Sequence, residues 1–180
     1  MYQTILIDPP WPEYGGGRIK RGADRHYPLM EPEEILGAIY DSGVFHPAEK
    51  CHLYLWVTNN YIPDGLLLTK MLGFKYITFI TWVKDKMGLG QYFRGQTEHI
   101  IFSVRGKQPT LVNNQPTFFY AKRRLHSEKP EKARRIIEKC SLPPRLEMFS
   151  RYNIEGWETW GNEKDAIVRP ACKKAIEPFF

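Results

Sequence analysis

Met1-Tyr-Gln-Thr-Ile-Leu-Ile7 runs directly into Asp8-Pro9-Pro10-Trp11, and this junction constrains the fold more than any other part of the chain. Ile5-Leu6-Ile7 offers no polar residue to water on either face, so it reads as a strand covered on both sides, as in parallel sheets flanked by helices. Two consecutive prolines then end it, because neither can donate to a strand ladder. In open sheets of this kind, ligands bind in the crevice outside the carboxyl ends of the strands. The first strand therefore delivers a carboxylate, a rigid pair and a large flat ring to the place where chemistry is expected.

Beyond the junction, strand-like and helix-like stretches alternate. Residues 31–40 carry helical spacing with Pro32 in the first turn, and 63–72 form a second helical stretch that Gly73 stops. Residues 53–57 (Leu-Tyr-Leu-Trp-Val) read as another strand buried on both faces. Residues 75–83, 100–104, 118–120, 145–149 and 156–160 follow as strands, and 130–140 as an amphipathic helix. This alternation predicts one α/β domain with a mainly parallel sheet covered by helices. A length of 180 residues with 42% hydrophobic content is enough for such a core.

A net charge of +6 and an aromatic content of 14% lean toward a polyanionic partner whose bases can be stacked. The three cysteines, Cys51, Cys140 and Cys172, have neither disulfide-framework nor metal-ligand spacing, and the five histidines form no metal motif. A reducing, cytoplasmic setting is expected. The longest apolar runs fall far short of the ~20 residues that a membrane span needs.

Asp8-Pro9-Pro10-Trp11 suits a planar base that bears an unreactive amino group. The lone pair of such an amine is delocalised into the ring, so methylation requires the nitrogen to become tetrahedral. The Asp8 carboxylate and the Pro9 carbonyl can accept its two N–H groups, and Trp11 can stack on the ring. Those hydrogen bonds strengthen as the nitrogen becomes positive, which favours the transition state. The plain alternative is a strand stopped by prolines, with Trp11 in the core.

Other segments fit the same chemistry. The glycine-rich stretch 13–26 is basic at Arg18, Lys20, Arg21 and Arg25, and lacks the Gly-Lys-Ser/Thr ending of a phosphate loop. Together with Lys122-Arg-Arg124 it could hold a phosphate backbone. Lys129 and Pro130 open the 130–140 helix, with Pro130 suited to its first position, and a helix start beside a lysine suits a carboxylate or phosphate. Glu147, inside an apolar strand, needs a partner: a ribose hydroxyl, Arg151 or a backbone N–H.

Together these segments resemble one family, the S-adenosylmethionine-dependent adenine-N6 methyltransferases. It includes the catalytic subunit of the eukaryotic mRNA adenosine methyltransferase and many phage and bacterial DNA homologues. The resemblance covers about residues 4–163. Besides Asp8-Pro-Pro-Trp11, it rests on Tyr27…Met30, Leu53-Tyr-Leu-Trp-Val-Thr58, Gly73-Phe74, Trp82-Val-Lys84 and Glu98-His99. Ser127-Glu-Lys-Pro130, Glu147-Met-Phe-Ser-Arg151, Asn153 and Trp160-Gly-Asn162 complete it in order.

The resemblance implies a Rossmann-like methyltransferase sheet, mostly parallel, with helices on both faces and the Asp-Pro-Pro-Trp segment preceding the cofactor-binding segments. It implies a domain over 1–163, a tail over 164–180, S-adenosylmethionine as cofactor and no metal. Asp8, Pro9, Pro10 and Trp11 would be catalytic, with Asp8 also near the cofactor's methionine amino group. Lys129 would meet the methionine carboxylate; Glu147, Phe149, Arg151 and Asn153 would surround the ribose, and Asn162 and Glu163 would approach the adenine. Trp11 and Tyr27 would line the target-base pocket, with Lys84 at its basic entrance and Arg18, Lys20 and Arg21 on the nucleic acid. Relatives often carry an upstream strand-end Asp that helps hold the cofactor adenine. Here the numbering starts at the strand itself, so that contact is expected to be missing or supplied elsewhere. Position 150 is Ser where a relative has Gly, and 163 is Glu where one has Gln.

The expected activity is methyl transfer to adenine in DNA, with single-stranded or loosely specified sites favoured because a base inside a duplex must first be flipped out. RNA as substrate and a non-catalytic nucleic-acid-binding subunit are the competing readings. A homodimer is compatible with so small a domain.

Overall fold

The computed structural model describes residues 1–12, 30–88, 92–123 and 128–161, and the backbone of Val168–Arg169. Its strands are β1 (Tyr2–Ile7), β2 (Pro47–Val57), β3 (Lys75–Lys84), β4 (Thr97–Arg105), β5 (Phe118–Ala121), β6 (Arg145–Met148), β7 (Asn153–Ile154), β8 (Glu158–Trp160) and β9 (Val168–Arg169). The helices are α1 (Pro32–Asp41), α2 (Ile62–Met71) and α3 (Glu131–Cys140), with a short 3-10 turn at Asn59–Tyr61 ahead of α2.

Seven strands form one sheet in the order β5-β3-β4-β2-β1-β6-β8. The pairs β1–β2, β1–β6, β6–β8 and β3–β5 are parallel. β4 runs antiparallel to both β2 and β3, because it follows β3 in the chain and pairs back along it as a hairpin partner. The sheet is thus mostly parallel, as expected, with one reversed strand that periodicity alone does not reveal.

β1 is central because it can bury both faces. Ile5 and Ile7 join Leu53, Leu55 and Val57 of β2 against Ile35 and Ile39 of α1 and Leu68 of α2. Leu6 points the other way, into a cluster with Tyr54, Trp56 and Ala133, Ile136 and Ile137 of α3. Helices therefore cover both faces. Full burial of each such Leu or Ile is worth about 1.5–3 kcal/mol over exposure, so the rim of this central region is a firm support for chemistry.

Some boundaries differ from those expected. β2 begins at Pro47, six residues before the apolar run. Pro130 precedes α3 as its N-cap, in extended backbone (φ −67°, ψ 136°), rather than taking the first helical position. The last sheet strand starts at Glu158, and β7 pairs with β9 in a separate two-stranded ribbon. Gly73 does end the second helical stretch, at φ 80°. Among the described residues no helix is long and apolar enough to cross a membrane, and Cys51 and Cys140 are free and buried.

Candidate active site

The registers Ile7↔Leu55, Ile7↔Met148, Val57↔His99 and Val83↔Thr97 bring the carboxyl ends of β1, β2, β3 and β6 and the start of β4 to one rim. Asp8 stands there because β1 continues one bond past its last residue: the Asp8 N–H donates to Met148 O at 3.3 Å. Pro9 and Pro10 then turn the chain. The Trp11 N–H closes onto Pro9 O at 2.9 Å, and the Met30 N–H reaches Pro10 O at 3.0 Å.

Lys129, just ahead of α3, donates to both Asp8 oxygens, at 2.7 Å (Oδ1) and 2.9 Å (Oδ2). Its ammonium also lies 3.7 Å from Glu98 Oε2, while Glu98 Oε1 accepts from Lys84 Nζ at 2.6 Å. Four charges of alternating sign, Asp8, Lys129, Glu98 and Lys84, thus run across the rim from β1 to β3. Each ammonium also rides over an indole: Lys129 is 5.3 Å from the Trp56 ring centre and Lys84 is 5.1 Å from that of Trp82. Alternation is what makes so many partly buried charges tolerable, since every desolvated group faces an opposite one.

The same arrangement sets the acidities. Burial pushes the Asp8 carboxyl above the ordinary aspartate value, against the pull of Lys129. Burial acts on Glu98 as well, but Lys129 and Lys84 together outweigh it and hold Glu98 below the ordinary range. Lys129 resists burial because Asp8 and Glu98 raise it, so it stays an ammonium.

A cleft opens beside this row, between the ends of β1 and β6 and the start of α3. It is lined by Asp8, Lys129, Glu147, Phe149 and Arg151, five of the predicted cofactor residues, together with Trp56, Arg134, Ser150 and Tyr152. Glu147 is buried, which pushes its carboxyl up against the pull of Arg134. In the structure it is met by a residue the sequence reading did not name. The Arg134 guanidinium forks onto it, Nε to Oε2 at 3.2 Å and a terminal nitrogen to Oε1 at 3.3 Å, and the Ser150 hydroxyl donates to Oε1 at 3.4 Å. Phe149 takes φ 61°, a left-handed conformation that costs a phenylalanine roughly 1–3 kcal/mol, with its ring edge-on to Trp160 at 5.2 Å.

Trp11 is buried rather than open. Its indole N–H donates to Trp56 O at 2.7 Å, and its ring stacks on Tyr61 at 5.4 Å. Asn153 sits in β7, off the cleft lining, and accepts from the Thr159 hydroxyl at 3.0 Å. Lys84 belongs to the charge row through Glu98. Tyr27, Arg18, Lys20, Arg21, Arg25, Arg124, Asn162 and Glu163 lie outside the described residues.

Sequence reasoning gave no role to Glu98 or Arg134. Glu98 was detectable: it lies opposite Trp82 in the β3–β4 register, and both ends of that pairing carry motifs of the resemblance. Arg134 looks like a solvated helix cation, and only the unmet need of Glu147 for a partner pointed to it.

Known proteins are similar over nearly the whole chain. A type II methyltransferase, M.MunI, from Mycoplasma sp is 32% identical over 185 residues, which takes in 90% of this chain and 77% of that protein. An MT-A70-like N(6)-adenosine-methyltransferase of Drosophila melanogaster is 27% identical, although this chain spans only 27% of its length. An N6-methyladenosine RNA methyltransferase, MTA1, of Cryphonectria parasitica is also 27% identical, with 54% of it spanned. MT-A70 methyltransferases use S-adenosylmethionine as methyl donor. Since the MT-A70 family pattern matches residues 2–163, nearly the whole chain, the chain belongs to the MT-A70 family.

Proposed function

We propose that this chain transfers a methyl group from S-adenosylmethionine to the N6 amino group of adenine in DNA. The observation that carries this reading is the Asp8–Lys129 pair, closed at 2.7 Å at the head of the cleft. A carboxylate beside an ammonium matches an α-amino acid, whose own ammonium and carboxylate can engage both and so exchange one ion pair for two. Asp8 and Lys129 would hold that end of the cofactor, and Glu147, kept in place by Arg134, would accept from its ribose hydroxyls. When bound, the cofactor supplies an electrophilic methyl group on a sulfonium centre.

The remaining chemistry falls to the chain. The Asp8 carboxylate accepts one N–H of the target amine. Pro9 O, which uses one lone pair on the Trp11 N–H, has a second lone pair for the other. Both acceptors favour a tetrahedral nitrogen whose lone pair is free to attack, and both bind it more tightly as it becomes positive. The proton that leaves the methylated nitrogen passes to Asp8, whose burial has made it a better acceptor, or to water. Trp11, buried against Tyr61, would act by fixing the Pro9–Pro10 turn from the core side rather than by stacking on the base.

DNA is favoured over RNA by the type II methyltransferase relative, 77% of whose length is matched at 32% identity. RNA keeps a claim through the matching RNA methyltransferase. The deciding experiment incubates the chain and its Asp8→Ala variant with labelled S-adenosylmethionine and matched single-stranded DNA, duplex DNA and RNA, then identifies the methylated nucleoside. N6-methyldeoxyadenosine that vanishes with the variant is expected. Product on RNA alone would reassign the polymer, and cofactor binding without product on any polymer would defeat the catalytic reading.

A further inference from the structure

We infer that the tip of the β3–β4 hairpin and the outer side of β5 form a stacking platform for single-stranded nucleic acid flanking the target base; this rests on the nucleic-acid reading above. The hairpin extends past its strands through the Gly88 N–H to Gly95 O bond at 2.6 Å, and beyond it Tyr92 and Phe93 are 94% and 90% exposed. β5 is the edge strand, and its side chains alternate: Phe119 enters the core, while Phe118 and Tyr120 face outward at 50% and 66% exposure with ring centres 5.7 Å apart. Large rings turned to water in groups, rather than scattered singly, mark an interaction surface.

The two aromatic groups leave the same rim as Asp8. Tyr120 pairs in register with Val83, next to Lys84 of the charge row, and the Asp85 carboxylate accepts the Arg123 N–H at 2.9 Å, tying the end of β5 to the root of the hairpin. Around the rings stand exposed Lys86, Arg94, Lys122 and Arg123, against Asp85 as the carboxylate. Rings interleaved with cations suit a strand that presents base faces and phosphates together. A duplex keeps its base faces stacked internally, so the platform selects an unpaired strand.

The test uses the full chain and measures binding of end-labelled single-stranded DNA and RNA oligonucleotides by fluorescence anisotropy across a salt series, alongside calorimetry with S-adenosylmethionine. Tyr92→Ala with Phe93→Ala, and separately Tyr120→Ala, should each weaken single-strand binding about tenfold. Cofactor affinity and the salt slope should not change. Arg94→Gln with Lys122→Gln should instead flatten the salt slope. Single-strand affinity within twofold of wild type in the aromatic variants would overturn the platform. So would a wild-type dimer that these variants split in sedimentation with no loss of oligonucleotide binding, since the rings would then join two copies of the chain. Binding needs no turnover, so the two readings fail separately. A chain that binds but never methylates defeats the proposed activity, whereas aromatic variants that methylate with an unchanged KM for the oligonucleotide defeat the platform.

Discussion

Lys129 grips both oxygens of Asp8, at 2.7 and 2.9 Å, across 121 residues of sequence. The pair joins the first strand to the start of the last helix, and it stands at the head of the cleft where both halves of the proposed site meet. A carboxylate held this way has a fixed direction, so a target amine is oriented without first immobilising a mobile acid.

Asp8→Asn keeps the shape and removes the charge. One acceptor then bonds as an amide oxygen, and Lys129 loses its principal partner. A charge-assisted hydrogen bond is worth about 1.5–3 kcal/mol, so single-turnover methylation should slow at least ~10–100-fold. Turnover within twofold of wild type would remove Asp8 from the reaction.

Much of this rim was legible in the sequence, and the reason is physical. Ile5-Leu6-Ile7 and Leu53-Tyr-Leu-Trp-Val57 have no solvent face, which placed both strands in the sheet interior, and the prolines fixed where β1 stops. What failed to show was pairing. A strand such as Thr97–Arg105 has the same alternation whether it runs parallel or antiparallel, so the reversal of β4 was invisible. β7 and β9, at two residues each, are too short to carry a period. The Glu98 and Arg134 contacts join residues that only the finished fold makes neighbours, although Glu147 had announced that some partner must exist.

Glu98→Gln should cost stability in a pH-dependent way. Glu98 sits between two ammoniums, so its loss sets Lys84 and Lys129 against each other; with side chains still 17–23% exposed, a cost of about 1–3 kcal/mol is expected at neutral pH. Its folded pKa is depressed, so its contribution is complete above the ordinary value of 4.5 and is lost as pH falls through the lower folded value. Asp8 and Glu147 are raised by burial and act oppositely, stabilising the fold as pH falls through their elevated values. Urea unfolding of both proteins should therefore show a gap that is widest near pH 7 and narrows below pH 4.5. A gap that stays constant with pH would mean that Glu98 acts by packing alone.

Arg134→Met tests how Glu147 is kept ready. Burial already favours its neutral form, and the guanidinium fork is the main force against it. Without that fork the carboxylate protonates at higher pH, and a protonated acid has lost acceptor capacity for ribose hydroxyls. Calorimetry with S-adenosylmethionine should give a variant whose affinity starts to fall at a higher pH than that of wild type as the solution is acidified, toward a limit of about tenfold per pH unit. Parallel curves for the two proteins would show that Arg134 does not govern the ionisation of Glu147.

Gly161 follows β8 and packs directly on the Ser150 backbone. A methyl group there would collide with Ser150 O and meet Ser150 N at 2.8 Å, atoms of a backbone already tied by the Ser150 N–H to Trp160 O bond at 2.9 Å. A side chain could swing aside, but this backbone cannot move without dragging Phe149, strained at φ 61°, and Glu147 three residues back. Gly161→Ala should therefore cost about 1–3 kcal/mol and weaken cofactor binding as well, since the displaced segment lines the cleft. Gly37→Ala is the control: inside α1, with nothing within 4 Å of the added carbon, it should raise stability by about 0.5–1 kcal/mol and leave cofactor affinity alone. Thermal unfolding and calorimetry on the two variants separate the effects. Equal tolerance of alanine at both positions would show that the Ser150–Gly161 approach is not needed to shape the site.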